Sequence, residues 1–311
     1  MLSRRSVRVK VLQLLYMLNR DEDLKFTDMV KGYNDGIWKA YELYIFQLYL
    51  LLKVTQQAES DAQTRAAKLL PSDDDRAFKP VLYSNNCTKS LATHVGFLNL
   101  VEKYKPTLEI DPDLIRRMYY LFAETPEYKT YITAENLSDA DHAKILLELY
   151  KFLSANDIYL EMCEDRYNNM SDDESLVAGA MKKTLKGMPV SGPFYEEHAP
   201  ADETVREFGE ELLRKTNLED AALFAEINPM LQNWDADRVA ILDMIMLKMA
   251  LCELLHFPTI PTKVTLNEYV EISKNYSTEK SKDFINGILD RLMKQLQQSG
   301  KIVKEGRGLI E

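Results

Sequence analysis

The sequence predicts an all-α protein. Glycine and proline, the residues that most often interrupt helices, number only 11 each among 311 residues. The first segment of the chain repeats apolar residues at helical spacing, and later segments begin with helix-capping residues such as Ser138 and Ser171. Together these three observations favour long helices over many short strands.

The first helix is predicted from about Ser3 to Leu18. Its apolar residues follow the spacing of one buried stripe: Val7, Val11, Leu14, Leu15 and Leu18. Arg5, Gln13 and Tyr16 fall within a sector of about 80° on the opposite side, at 100° per residue. Three further cations lie beside the stripe or beyond this sector: Arg4, Arg8 and Lys10. This helix can therefore pack one face and offer the other to a ligand.

After a polar break at residues 19–23, a long helical region is predicted over Ile37–Leu70, as one helix or two, ending before Pro71. Further helices are predicted over four segments: Lys89–Tyr104, Pro112–Glu124, Asp139–Ala155 and Asp172–Lys186. Their start signals are Asp111 before a proline, Ser138 before an acidic first turn, and a Ser171–Glu174 capping box.

The stretch Met188–Asp202 predicts a domain boundary, because it contains three prolines and a glycine and has no helical period. Five helices are predicted beyond it, over residues 203–216, 218–232, 235–256, 264–275 and 278–298. All but Asp243 and Lys248 are apolar in Val239–Cys252. A helix that is apolar on nearly every side is surrounded by others, so this one is expected at the centre of a C-terminal bundle.

Charge is unevenly distributed along the chain. The net charge is −10, yet residues 1–20 hold five basic residues and no acid, and residues 291–311 hold five basic and two acidic residues. Residues 21–290 therefore carry −18. Two basic ends on an acidic body indicate an anionic ligand for the ends and a basic partner for the body. The alternative is that the termini carry surplus Lys and Arg for solubility.

Enzyme, metal and membrane classes find no support in the sequence. The three cysteines are far apart and form no zinc or disulfide pattern, which favours a reducing cytosol. The four histidines do not cluster, and no nucleotide-binding or nucleophile motif occurs. The apolar run Leu43–Val54 is too short to cross a bilayer, and no cleavage site follows the basic start. We expect a cytoplasmic protein that is not an enzyme and has no cofactor or metal.

Several segments together resemble the NusB family. They are SRRSVRVKVLQLLY at the start, FGEELLRKTNLEDAALFAEINPML (Phe208–Leu231), NWDADRVAILDMIMLKMALCEL (Asn233–Leu254), FPTIPTKVTLNEYVEISKNYS (Phe257–Ser277) and SKDFINGILDRL (Ser281–Leu292). The resemblance covers residues 1–19 and about 203–311. It implies a basic RNA-binding helix (1–19) packed on a NusB-like helical bundle (203–311), with a large helical insertion (20–202) after the first helix. This enlarged form is similar to long NusB versions of the Bacteroidetes type. Lys248 stands where the family usually has Arg.

The resemblance implies binding of boxA-type single-stranded RNA together with the ribosomal protein NusE, within the transcription elongation complex and in support of ribosomal RNA transcription. Arg4, Arg5, Arg8 and Lys10 would neutralise phosphates. Gln13 would read a base edge and Tyr16 would stack on an unpaired base. Lys282, Phe284 and Asn286 would form a second wall of the RNA groove.

Alternatives stand beside each assignment. The first helix could be an ordinary solvated amphipathic helix, Phe284 could be a core residue, and Asn286–Gly287 could serve close helix packing. Asp243 and Glu253 would either face the partner protein or pair internally. A protein scaffold that has lost RNA binding is the second function class. An RNA methyltransferase with a NusB-like domain is a third, but a Gly-rich cofactor loop and a Pro-Cys pair are both lacking.

Overall fold

A computed structural model describes residues 2–21, 23–105, 110–167, 170–231 and 239–309. Across these ranges the regular secondary structure is helical, without a strand, which confirms the predicted all-α class. The chain divides into two compact units. The middle unit comprises Trp38–Ala199, and the terminal unit comprises Leu2–Ile37 with Pro200–Glu311.

Helix α1 (Arg4–Arg20) begins at Ser3, whose hydroxyl accepts a hydrogen bond from the Ser6 backbone N–H at 3.1 Å. Its buried residues include four apolar side chains: Val7, Val11, Leu12 and Leu15. The predicted stripe is therefore present, although it is centred nearer Leu12 than Leu18.

Helix α2 (Phe26–Ala66) starts eleven residues before the predicted Ile37 and is one helix rather than two. Its early turns place Met29, Tyr33 and Ile37 at four-residue intervals in the core of the terminal unit. Gly32 and Gly36 lie between them in the sequence. Because glycine disfavours a helix interior, the two glycines led to a predicted helix start that was too late in the sequence.

Nine helices of the middle unit follow α2 within the described residues. They are α3 (Asp73–Ala77), α4 (Val81–Ser84), α5 (Asn86–Ala92), α6 (Val95–Tyr104), α7 (Pro112–Ala123), α8 (Pro126–Thr133), α9 (Asp139–Ser154), α10 (Asp157–Glu164) and α11 (Met170–Lys186). The helix predicted over Lys89–Tyr104 is two helices, because the His94 ring accepts a hydrogen bond from the Phe97 backbone N–H and starts α6.

In the terminal unit, α12 (Asp202–Thr204) continues through a π-helical segment (Val205–Glu210) into α13 (Glu211–Leu218). The remaining helices are α14 (Asp220–Ile227), α15 (Ile241–His256), α16 (Thr262–Tyr276) and α17 (Ser281–Gln298). Helix α15 contacts α1, α13, α14, α16 and α17, which confirms the expected central helix. Its predicted start at Asp235 lies outside the described residues.

Helices α1 and α2 both pack against the π-helical segment in the terminal unit. The Tyr33 hydroxyl donates to the Val205 carbonyl at 2.8 Å. A Cβ at Gly209 would lie only 1.9 Å from the Tyr33 hydroxyl oxygen and 2.3 Å from Val7 Cγ1. Glycine is therefore required at this position by packing.

Within the described part of the chain, every helix is too short or too polar to cross a membrane.

Candidate nucleic-acid interface

Arg8, predicted to contact phosphate, lies in the core of the terminal unit with 2% of its surface exposed. Its Nε and Nη2 donate to the two carboxylate oxygens of Glu253 at 2.8 and 2.7 Å, and its guanidinium lies 4.9 Å from the centre of the Phe208 ring. Burial lowers the pKa of Arg8, but hydrogen bonds and attraction from Glu253 outweigh burial and raise it above the ordinary value. The structure thus corrects the exposed placement of Arg8, because its carboxylate partner is buried in the bundle.

Glu253 has no exposed surface and accepts two further hydrogen bonds, from the Thr265 hydroxyl at 2.7 Å and the Tyr269 hydroxyl at 3.3 Å. Four donors therefore converge on one carboxylate, which satisfies its buried charge. Glu253 was expected to face either a partner or an internal group. The structure shows internal pairing.

Asp243, the other acid considered for partner binding, is also buried. Its carboxylate accepts hydrogen bonds from the Ser277 hydroxyl at 2.5 Å and the Ser281 hydroxyl at 2.7 Å. Ser281 is the first residue of α17, so Asp243 joins the central helix to the start of α17. With 5% of its surface exposed, Asp243 offers almost no contact area to a partner.

Arg4 and Arg5 lie at the surface, and each contacts an acid. Arg5, with 54% of its side chain exposed, donates to both oxygens of Glu268 at 2.8 and 2.7 Å. The hydrogen bond from Arg5 is the main cause that lowers the pKa of Glu268. Arg4 contacts Glu203 at 3.0 Å and lies 5.4 Å from the Phe208 ring centre. A groove of about 790 Å³ is lined by both arginines and Lys263.

The exposed face of α1 continues toward its C-terminal end. Tyr16 is 37% exposed and Gln13 is half-buried. Arg20 is also exposed, and it lies one turn after Tyr16 on the same side of the helix. This arginine was missing from the predicted site, although its four-residue spacing from Tyr16 was a readable signal. Lys10 is buried, with 7% of its surface exposed, and does not extend this face.

On α17, Lys282 and Asn286 are exposed and one helical turn apart, whereas Phe284 is half-buried and packs against the core. The structure therefore favours the core alternative for Phe284. A Cβ at Gly287 would meet no atom within 4 Å. Close helix packing thus does not explain this glycine.

Glu271 of α16 connects the two basic elements electrostatically. Its pKa is lowered by a hydrogen bond from Lys274, and further by the charges of Lys274, Arg5 and Lys282. Arg5 at the start of α1 and Lys282 at the start of α17 therefore both act on the carboxylate of Glu271.

Lys248 stands where the family that the sequence resembles usually has an arginine. It contacts Asp220 at 2.6 Å and lies 5.7 Å from the Phe224 ring centre. It lines a groove of about 490 Å³ beside Leu15 and Leu18. Its ammonium group makes one contact with Asp220, whereas a guanidinium can donate two parallel hydrogen bonds to one carboxylate.

The described residues contain no group of three or more His, Cys, Asp or Glu placed to hold a metal ion. All three cysteines are buried, and burial raises the pKa of the Cys252 thiol to about 12. This thiol is therefore protonated at neutral pH and is not a reactive nucleophile.

Helix α15 is enclosed by its neighbours, and one of them, α1, carries exposed arginines. This arrangement defines an all-α protein of the helical-bundle class. Residues 167–294 match the model of the NusB family. The transcription antitermination protein NusB of Salinibacter ruber is 40% identical over 111 residues, which cover 35% of this chain and 68% of that protein. The chain belongs to the NusB family.

Two further relatives agree with this assignment. The protein of the same name from Methylacidiphilum infernorum is 39% identical over 98 residues, covering 32% of this chain and 68% of its own length. That of Chloroherpeton thalassium is 43% identical over 79 residues, covering 25% and 37%. No solved structure matches the chain significantly.

Proposed function

We propose that this protein is a transcription antitermination factor that binds boxA-type single-stranded RNA together with the ribosomal protein NusE and supports ribosomal RNA transcription. It is a cytoplasmic binding protein rather than an enzyme in this proposal. Support comes from the family and from one structural observation. Arg5, Tyr16 and Arg20 share the exposed side of α1, and Arg5 also lines the groove together with Arg4 and Lys263.

The residues of α1 and α17 in the proposed face would make different contacts with the RNA. Arg5 and Arg20 lie at opposite ends of α1 and would neutralise phosphates along a strand, releasing counterions. Tyr16, between them, would stack on an unpaired base, and Gln13 would bond a base edge. Lys282 and Asn286 would extend the surface from α17. Arg8 and Lys10 leave the proposed contact set because both are buried, and Phe284 would contribute at most its exposed edge.

Phosphate must compete with protein carboxylates at this surface. Arg5 contacts Glu268 through two of its nitrogens and Arg4 contacts Glu203. Both pairs are partly exposed, so each contributes little stability and can be replaced by a phosphate contact. Binding should therefore weaken steeply as salt rises.

The test is a gel shift of the full chain with boxA RNA, with and without the ribosomal partner, over a range of salt concentrations. Tyr16→Ala should weaken binding by about 1–3 kcal/mol, the usual contribution of one stacked base. Arg5→Ala should lower the salt slope by about 0.7, the value for one phosphate contact on a single strand. The far-UV helix signal should stay unchanged.

Matched controls come from the middle unit. Tyr120 on α7 is 45% exposed, and Arg116 on the same helix is also exposed. Tyr120→Ala and Arg116→Ala should leave RNA affinity at the wild-type level. Equal RNA binding by wild type, Tyr16→Ala and Arg5→Ala would refute the proposed face and favour a protein scaffold.

A further inference from the structure

The middle unit carries a groove between α8 and α9, with a volume of about 530 Å³. Its floor is apolar: Tyr131 is 6% exposed and Ile145 is 5% exposed. The walls add Pro126 and Ala134, which are exposed, and Leu137, which is half-buried. The groove can therefore receive one or two apolar side chains.

The floor is held in place by a hydrogen bond. The Tyr131 hydroxyl and the Nδ1 of His142 lie 2.8 Å apart, joining α8 to α9 beneath the groove. Both groups are buried, and the Tyr131 hydroxyl also lies 3.4 Å from the Val81 carbonyl oxygen. A preformed site of this kind loses little conformational freedom when a ligand enters.

The rim of the groove is acidic. Glu127 and Asp141 are exposed, and the lining contains one cation, Lys144. Glu148 is half-buried and contacts Lys151 at 2.8 Å, a partly exposed pair that a basic ligand can replace. Glu127 forms no ion pair within the described residues. Asp141 accepts hydrogen bonds from the Ser138 hydroxyl and backbone N–H, which lower its pKa and keep it ionised.

The acidic character extends beyond the groove itself. Residues 124–148 contain six acidic residues and two lysines. One of these lysines, Lys129, is paired with Glu124 at 2.7 Å. Such a surface repels a phosphate backbone and attracts Lys and Arg.

We propose that the groove between α8 and α9 binds a basic peptide segment of a partner protein. An apolar side chain of that segment lies against Tyr131 and Ile145, and flanking Lys or Arg residues contact Glu127 and Glu148. Charge complementarity selects this occupant, since an acidic segment or a nucleic acid would meet a rim of the same charge sign. The role goes beyond the RNA binding proposed for the terminal unit.

The test uses the full chain and a dye-labelled synthetic peptide in which leucines alternate with pairs of lysines. Fluorescence anisotropy should show binding that weakens as salt rises. Two comparison peptides replace either the leucines by serine or the lysines by glutamate, and both should bind much more weakly. Equal binding of the serine peptide would reduce the effect to general charge attraction and overturn the proposal, as would no binding at all.

Variants locate the site. Ala134→Trp places an indole in the groove and should abolish peptide binding, whereas Ala155→Trp, at the exposed end of α9, should not. Glu127→Gln with Glu148→Gln should weaken binding roughly two- to thirtyfold, as expected for two partly exposed ion pairs. The control with the same net charge is Glu161→Gln with Glu164→Gln on α10.

Thermal unfolding followed by circular dichroism checks that each variant folds. If Ala134→Trp fails to fold, the test rests on comparing the rim variant, Glu127→Gln with Glu148→Gln, with the control variant, Glu161→Gln with Glu164→Gln. Wild-type peptide affinity in the rim variant, or equal losses in both glutamine pairs, would overturn the proposal. A loss of single-stranded RNA binding in Ala134→Trp without a loss of peptide binding would assign the groove to nucleic acid and equally overturn it.

Discussion

The buried ion pair between Arg8 and Glu253 makes a sharp energetic prediction. Arg8→Met removes the cation that contacts a carboxylate with no exposed surface. Glu253→Gln removes the main anion of a buried guanidinium, whose remaining acid is Glu268 at 3.5 Å. Breaking one side of a buried pair costs about 3–5 kcal/mol. Each single substitution should therefore reduce the free energy of unfolding of the terminal unit by that amount.

The double variant Arg8→Met with Glu253→Gln should be far less damaged than the sum of its parts. No charge remains buried, and the glutamine oxygen still accepts from Thr265 and Tyr269. The remaining cost is an incompletely bonded side-chain amide, about 1–3 kcal/mol. A double-mutant cycle should then give a coupling free energy of roughly 3 kcal/mol or more.

Urea-dependent hydrogen exchange, read by mass spectrometry in peptides from α1 and α15, measures these free energies in the terminal unit alone. This local measurement is needed because a chain of two units need not unfold in one step. Additive losses in the double variant would contradict the predicted coupling, because they would mean that the two side chains stabilise the unit independently.

Three further predictions concern single residues. Gly209→Ala should destabilise the terminal unit by about 3 kcal/mol or more in the same assay, because its Cβ would overlap Tyr33; wild-type stability would contradict the packing. Gly287→Ala should raise the free energy of unfolding by about 1 kcal/mol, because this exposed helical glycine has open space around it; destabilisation would mean that a neighbouring group occupies this space. Glu268 has its pKa lowered by Arg5, so its contribution to stability is present above its ordinary pKa of 4.5 and is lost as pH falls below it. Melting temperatures between pH 6 and 3 should therefore fall less for Glu268→Gln than for wild type, and parallel curves would contradict the assigned pair.

The sequence predicted the helical class and the central helix, because both depend on local pattern. A run of apolar residues around the whole of α15 predicts that neighbours enclose it. Helices α8 and α10 were missed, although Thr125 before Pro126 and Asn156 before Asp157 are ordinary start signals. Their eight-residue length leaves too few turns for a clear apolar period.

The candidate site was harder to predict, because exposure depends on partners far away in the sequence. Arg8 was counted among surface cations, but its partner Glu253 lies 245 residues later. A signal did exist: an acid inside an apolar helix needs buried hydrogen-bond donors, and Arg8, which lies beside the apolar stripe of α1, can supply them. Arg5 and Tyr16, unlike Arg8, lie opposite the apolar stripe and form no ion pair with a fully buried acid. Both side chains are therefore exposed, as predicted from their position on the helix.

The most direct test of the proposed RNA face is photocrosslinking of boxA RNA that carries 4-thiouridine, followed by mass spectrometry of the crosslinked peptides. We expect crosslinks in α1 near Tyr16 and in α17 near Lys282, with their yield reduced by Tyr16→Ala. Crosslinks confined to the middle unit, or unchanged yields in that variant, would contradict the proposed RNA face.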